Sequence, residues 1–253
     1  LYFKVEGGTK MVTTLTNEKK INIGFAVISV ILSLISWVVG IGTTFSAMRS
    51  FWWGQTADSP YFMHEGMVML TGGVIAQAII GIVAAVFMLI VLNQWNQSLT
   101  ENIKNTKIMI NYVKESTDEK QKLLSLSTVE VHLESLDLRS WAYWLYVGFY
   151  VISLFIPVMA VIFSLLAIIF LAIYLQSVFT VSKRLEEIKN TMYSVMGIST
   201  LQMQNIKSRN IGLFILFVII TLGIYWLYLL IKLSSEINNY LDTDQRLRQM
   251  VNP

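Results

Sequence analysis

Few residues in this chain could do covalent or metal chemistry. Histidine occurs twice, at His64 and His132, and cysteine is absent. His64 is followed by Glu65, the opening of a zinc-protease helix motif, but no second histidine stands four residues further on. A zinc site needs three or four nitrogen, sulfur or carboxylate ligands. No metal and no other cofactor is therefore expected, and His64 and Glu65 read as interfacial loop residues. Without cysteine there is no disulfide and no thiolate nucleophile. Serines are plentiful, but no base is paired with them. Asn96-Gln97-Ser98 matches a glycosylation sequon; it falls at a membrane edge on the side expected to be cytoplasmic and is discounted. Gly72-Gly73 lies inside an apolar run, so it reads as packing rather than as a phosphate loop.

Composition explains why chemistry is sparse. Hydrophobic residues make up 55% and charged residues 14%, against roughly 25% charged in a soluble domain. Net charge is +3, and no basic stripe with interleaved aromatics is present, which argues against a nucleic-acid partner. The apolar residues come in blocks. No charge occurs between Lys20 and Arg49, between Glu65 and Glu101, or between Arg139 and Lys183. A membrane-crossing helix needs about 20 apolar residues. The third block, 141–180, would be roughly 60 Å long as one helix, twice the hydrocarbon thickness. Pro157 near its middle removes a helix hydrogen bond, so the block reads as two helices turning there.

The expected fold class is all-α: a polytopic helical membrane protein with about five apolar helices (four to six) and cytoplasmic helical extensions. Its organisation reads as an N-terminal leader over 1–20, a first transmembrane hairpin over 21–94, a cytoplasmic helical connection over 95–140, a second hairpin over 141–180, a cytoplasmic amphipathic segment over 181–210, and a last membrane segment with a polar tail over 211–253. Residues 1–10 precede Met11; Leu1-Tyr2-Phe3 resembles part of a protease-site scar, and an upstream natural start fits equally. Basic residues favour the cytoplasmic side. That places the N-terminus, 95–140 and 183–209 inside, and the aromatic loop 51–65 outside. The side of the C-terminus stays open: a simple final span puts it outside, a re-entrant turn at Gly223 inside.

Two faces of small and polar residues stand out. Ser29, Ser33, Ser36 and Gly40 share one side of the first span; Gly73, Gln77, Gly81 and Ala84 share one side of the second. Small residues let helix backbones approach closely, which matters where lipid supplies no hydrophobic drive between helices. The two faces read as a mutual contact, or as the lining of a neutral polar pore. Trp52, Trp53, Trp95, Trp141, Trp144, Tyr225 and Trp226 read as aromatics anchored at the membrane–water interface. A repeated phrase follows three of the apolar blocks: LTENIKN at 99–105, LEEIKN at 185–190 and LSSEINN at 233–239. Three related hairpins would explain the echo; so would the narrow choice of residues in polar helix extensions.

The last block carries Thr221, Gly223, Ile224, Tyr225 and Trp226, followed by Lys232, Leu233, Ile237 and Asn238. This pattern resembles a family of small prokaryotic multi-pass membrane proteins of unknown function with a T-x-G-I-Y-W signature. The resemblance covers about the last forty residues and implies neither an activity nor a catalytic residue. Gly223 at mid-block permits a kink or a re-entrant turn.

Charge placement narrows the function classes. Carriers and proton pumps place ionisable groups inside their spans, and here those stretches have none. The expected role is a non-enzymatic scaffold or accessory subunit of the cell membrane. Its expected partners are the lipid bilayer and either copies of itself, as a homo-oligomer, or other membrane proteins. A homo-oligomeric channel with a neutral polar pore and an interfacial enzyme acting on lipid are the alternatives.

Overall fold

The computed structural model describes residues 18–56, 60–115, 117–199 and 205–251. The leader residues 1–17 lie outside this set. Among the described residues the protein is helix and loop, without strand. Seven α-helices follow in order among these described residues: α1 Ile23–Thr56, α2 Pro60–Glu115, α3 Lys120–Glu134, α4 Ser140–Phe155, α5 Ala160–Val195, α6 Ile211–Ile220 and α7 Ile224–Val251. Three of them, α1, α2 and α5, contain stretches long and apolar enough to cross a membrane, and α4 and α6 are shorter apolar helices. The chain is thus an all-α protein of polytopic membrane type. It divides into two compact units, Asn22–Val91 and the remainder, each described by itself below.

Several boundaries differ from the sequence reading. Residues 51–65 are not a long loop. Helix α1 runs through Phe51, Trp52 and Trp53 to Thr56, and Pro60 opens α2 with a φ suited to a first helical residue. Likewise α2 does not end at Gln94: its backbone bonding is indifferent to the change from apolar to polar side chains, so the helix continues to Glu115. Helix α5 passes through residue 181 in the same way and stops at Val195. There Gly197 takes φ +75°, Gly197 N–H donates to the Ser194 carbonyl and Ile198 N–H to the Tyr193 carbonyl. These two bonds make the left-handed helix stop that glycine favours.

The chain turns at the two positions of interest by different means. Ile156, before Pro157, sits at φ −119°, ψ 82°, because a following proline disfavours the helical region. One 3-10 turn over Pro157–Met159 then starts α5. At the second turn Leu222 and Gly223 both have positive φ, 50° and 91°. Gly223 N–H donates to the Val218 carbonyl and Leu222 N–H to the Ile219 carbonyl, closing α6. Thr221 Oγ1 donates to the Phe217 carbonyl at 2.7 Å and accepts from Tyr225 N–H at 2.9 Å, so one hydroxyl finishes α6 and starts α7. The ring of Tyr225 folds back to 5.2 Å from Phe217, and Trp226 meets Phe214 at 6.0 Å. The last block is therefore a hairpin, not one straight span. Its first arm of 10 residues is about 15 Å long, half the hydrocarbon thickness.

The larger unit is held by a seam of buried residues at three-and-four spacing. In α2 these are Leu92, Trp95, Leu99, Asn102, Thr106 and Met109. In α5 they are Tyr174, Val178, Val181, Leu185, Ile188 and Met192, and in α7 Leu230, Leu233, Ile237, Tyr240, Asp244 and Leu247. That spacing is the pattern of helices packing side by side with knobs in holes. The echoing segments lie on these three helices, with Leu99, Leu185 and Leu233 all fully buried.

The Gly197 stop yields a direct test. A Cβ at Gly197 would touch nothing within 4 Å, so Gly197→Ala should cost only the left-handed backbone penalty, about 1 kcal/mol. Denaturant unfolding of the detergent-solubilised protein measures it; unchanged stability would show that the positive φ is not required.

Candidate functional site

Two sets of polar residues are brought together, one in each unit. In the smaller unit, Ser29 Oγ donates to the Ala84 carbonyl at 2.9 Å and Ser36 Oγ to the Gln77 carbonyl at 3.1 Å. Both hydroxyls thus bond the backbone of the facing helix. Gly40 lies under the Gln77 side chain, where a Cβ would approach within 2.6 Å. Gly73 is tighter still, since a Cβ there would overlap the Thr43 side chain. Gly81 leaves ordinary space, 3.5 Å to Ser36 Oγ. Ser33 is half-buried on the same side. Thr43 was not among the residues singled out from sequence; it turns its own hydroxyl back to the Val39 carbonyl at 2.8 Å and presents its methyl to Gly73.

The interfacial aromatics separate into two groups. Trp52 and Trp53 are exposed near the end of α1, as are Trp141 and Trp144 at the start of α4. Tyr225 and Trp226 are half-buried against α6. Trp95 is a correction to the sequence reading. It is fully buried, and its Nε1–H donates to Ser234 Oγ at 2.8 Å. Because α2 continues past residue 94, Trp95 falls on the seam rather than on an outer surface.

The second set is a buried charge layer that the sequence reading did not anticipate. Asp244 of α7 accepts from Lys189 Nζ of α5 at 2.8 Å, from Asn102 Nδ2 of α2 at 2.9 Å, from Tyr193 Oη at 2.8 Å, and from Arg248. Arg248 also donates to Glu18 at 2.5 Å. Glu18 Oε1 further accepts from Asn102 and Asn105, both at 3.0 Å. Tyr240 Oη donates to Asn102 Oδ1 at 3.2 Å. Two anions therefore face two cations, with amides and phenols from three helices filling the remaining positions. The network is closed around Asp244 and looser at its edge, where Glu18 Oε2 and Arg248 Nε make no hydrogen bond.

Glu18 belongs to a short non-helical segment pinned to the same helices. Lys19 carbonyl accepts from Ser98 Oγ at 2.5 Å, and Lys20 pairs with Asp242 at 2.5 Å. The Asn238 amide takes both backbone groups of Ile21 at 2.8 Å. The entry to α1 is thus tied to the side chains of α2 and α7.

At Asp244 and Arg248 the electrostatics agree with the geometry, whereas at Lys189 burial and the Arg248 charge outweigh the Asp244 and Glu18 carboxylates and lower the ammonium to about 8. Burial pushes the Asp244 carboxyl up, but the Lys189 ammonium and the Arg248 guanidinium outweigh it and hold it down at about 2. Burial acts against the Arg248 charge, and the carboxylates of Asp244 and Glu18 more than restore it. Burial, and then the Asp244 charge, push the Tyr240 phenol upward. These groups answer one another, which is the arrangement of a structural layer more than of an acid–base pair facing a substrate. Among the described residues no group of three His, Cys, Asp or Glu converges as a metal site; His64 and His132 are both exposed. No protein-family model, curated protein or solved structure matches the chain.

Two pairs of substitutions test these sets. Gly73→Ala should destabilise the protein by roughly 1–3 kcal/mol through overpacking, whereas Gly72→Ala, with nothing within 4 Å, should be close to neutral. Equal effects in thermal melts would refute the close contact. Asp244→Asn leaves Lys189 buried without its carboxylate and should cost roughly 3–5 kcal/mol, and Lys189→Met with Asp244→Leu should cost less. For pH the sign follows from the lowered value. The Asp244 contribution is complete above its ordinary 3.8 and is lost as pH falls through about 2. Unfolding midpoints across acid pH check this, and Asp244→Asn should flatten the profile.

Proposed function

We propose that this chain is a multi-pass protein of the cell membrane that works by assembly rather than by chemistry. It is a non-enzymatic scaffold or accessory subunit, acting through self-association or through complexes with other membrane proteins. The observation that carries the reading is how the ionisable groups of the larger unit are used. Asp244, Glu18, Lys189 and Arg248 neutralise one another inside a helical seam. Such a layer fixes which helices pair and in what register, at some cost in stability. A protein that must hold a polar bundle in one arrangement is suited to presenting a surface. Ser29 and Ser36 likewise bond a neighbouring backbone, which favours helix contact over a pore lining.

Exposed apolar side chains support the membrane location. Val158, Val161, Ile168, Ile219 and Leu222 are all more than half exposed in the larger unit, and lipid is the solvent in which that is stable. By the positive-inside rule the polar bundle with its lysines faces the cytoplasm.

Crosslinking in native membranes followed by mass measurement should yield a discrete oligomer or a defined complex. A strictly monomeric species would overturn the assembly reading. Thr191 is exposed on the polar part of α5. A cysteine placed there should resist impermeant reagent in intact cells and react after lysis; rapid labelling before lysis would reverse the assigned side.

A further inference from the structure

Beside the membrane part of α5 lies a small basic pocket that the charge layer does not use. It has a volume of about 260 Å³ and is lined by Phe179, Thr180, Lys183, Arg184, Glu187, Ser208 and Arg209. Its position follows from the sequence on both sides. Lys183 is the first charged residue after Arg139, so it marks the end of the apolar run through α4 and α5. Arg209 immediately precedes the apolar arm α6, which begins at Ile211 behind the Asn210 cap. Phe179, a buried residue of the lining, meets Phe214 of α6 edge to face at 6.2 Å. Lys183 and Arg184, with Arg209 already paired to Glu236, and two hydroxyls thus line a concavity where two apolar elements end together.

From this geometry we infer that the pocket binds the phosphate of an anionic phospholipid headgroup. The inference rests on the membrane reading above. Arg209 is held in place by Glu236, which accepts from its Nη2 at 2.9 Å. Its Nη1 also pairs with Glu236 at 2.8 Å and donates to the Lys207 carbonyl, so its charge is answered and the uncompensated charge of the pocket comes from Lys183 and Arg184. Lys183 and Arg184 are exposed on long stems, free to reach a phosphate at the boundary as cations at membrane edges do. Glu187 is the single carboxylate in the lining; it lies one helical turn beyond Lys183 and Arg184. A basic recess between membrane helices is the recognised form of a phospholipid headgroup site. The exposed apolar side chains of Leu213 and Leu216 on α6 offer a surface for the acyl chains.

The test uses the full chain. Membrane fractionation comes first: recovery in the soluble fraction would defeat the membrane reading itself. The protein in nanodiscs of phosphatidylcholine is then titrated with phosphatidylglycerol, and retained lipid is counted by native mass spectrometry. The wild type should retain phosphatidylglycerol over phosphatidylcholine. Lys183→Gln with Arg184→Gln should weaken that preference roughly tenfold or more, while Lys104→Gln with Lys120→Gln, two exposed cations elsewhere, should leave it unchanged. Thermal melts confirm that both double variants are folded; if the first is not, Ser208→Glu, which adds a negative charge at the rim, serves in its place. Equal retention of both lipids, an equal loss in the control pair, or saturation by inorganic phosphate without lipid preference would each overturn the headgroup site.

Discussion

A carboxylate removed from water must be answered by positive charge and by hydrogen bonds, and Asp244 is answered from every side. Lys189 reaches it from α5, Asn102 from α2, and Arg248 from the next turn of its own helix. Burial of a lone ion is costly enough that neither Asp244 nor Lys189 could occupy the seam without the other. The pairing therefore fixes the height of α7 against α5, and Asn102 fixes α2 against both. Glu18 extends the same dependence to the chain's entry into α1 through Arg248. Apolar seam residues would pack in several registers with similar energy; the charge layer is satisfied in one.

The smaller unit meets a different constraint with different residues. Inside lipid, burying apolar surface between two helices gains little, because lipid tails are equally apolar. What remains is close approach and hydrogen bonding. Gly40 and Gly73 remove the side chains that would separate α1 from α2, and Ser29 and Ser36 bond the backbone thus brought near. The two units divide the available physics between them: dispersion and hydroxyl bonds in one, a heptad-like seam closed by ion pairs in the other.

Much of this was legible from the residues alone. Long uncharged blocks announce membrane helices, and Pro157 inside a block twice too long announces a turn. The glycine and serine spacing placed Ser29, Ser36, Gly73 and Gln77 on two faces that do meet in the smaller unit. The charge layer was not legible, for a physical reason. Asp244, Lys189 and Asn102 each sit in a polar stretch where charged residues ordinarily face water, and only the fold shows that their positions coincide with the seam. Glu18 stood in what read as a leader. Trp95 looked interfacial because side-chain polarity changes beside it, yet helix bonding does not respond to that change. At Gly223 both a straight span and a turn fitted the composition. The back-folding of Tyr225 and Trp226 onto α6 is a contact that a one-dimensional pattern does not encode.

Each apolar arm in this chain is followed by a longer partner: α1 by α2, α4 by α5, α6 by α7. A hairpin brings the chain back to the face from which it set out, however deep it reaches. The polar extensions of α2, α5 and α7 meet in one charge layer, so on the topology proposed above none of the three would have to be translocated. On that proposal only short turns, such as the one at Ile156–Met159, pass through the bilayer, and the lysines, carboxylates and amides that must find one another stay in one compartment.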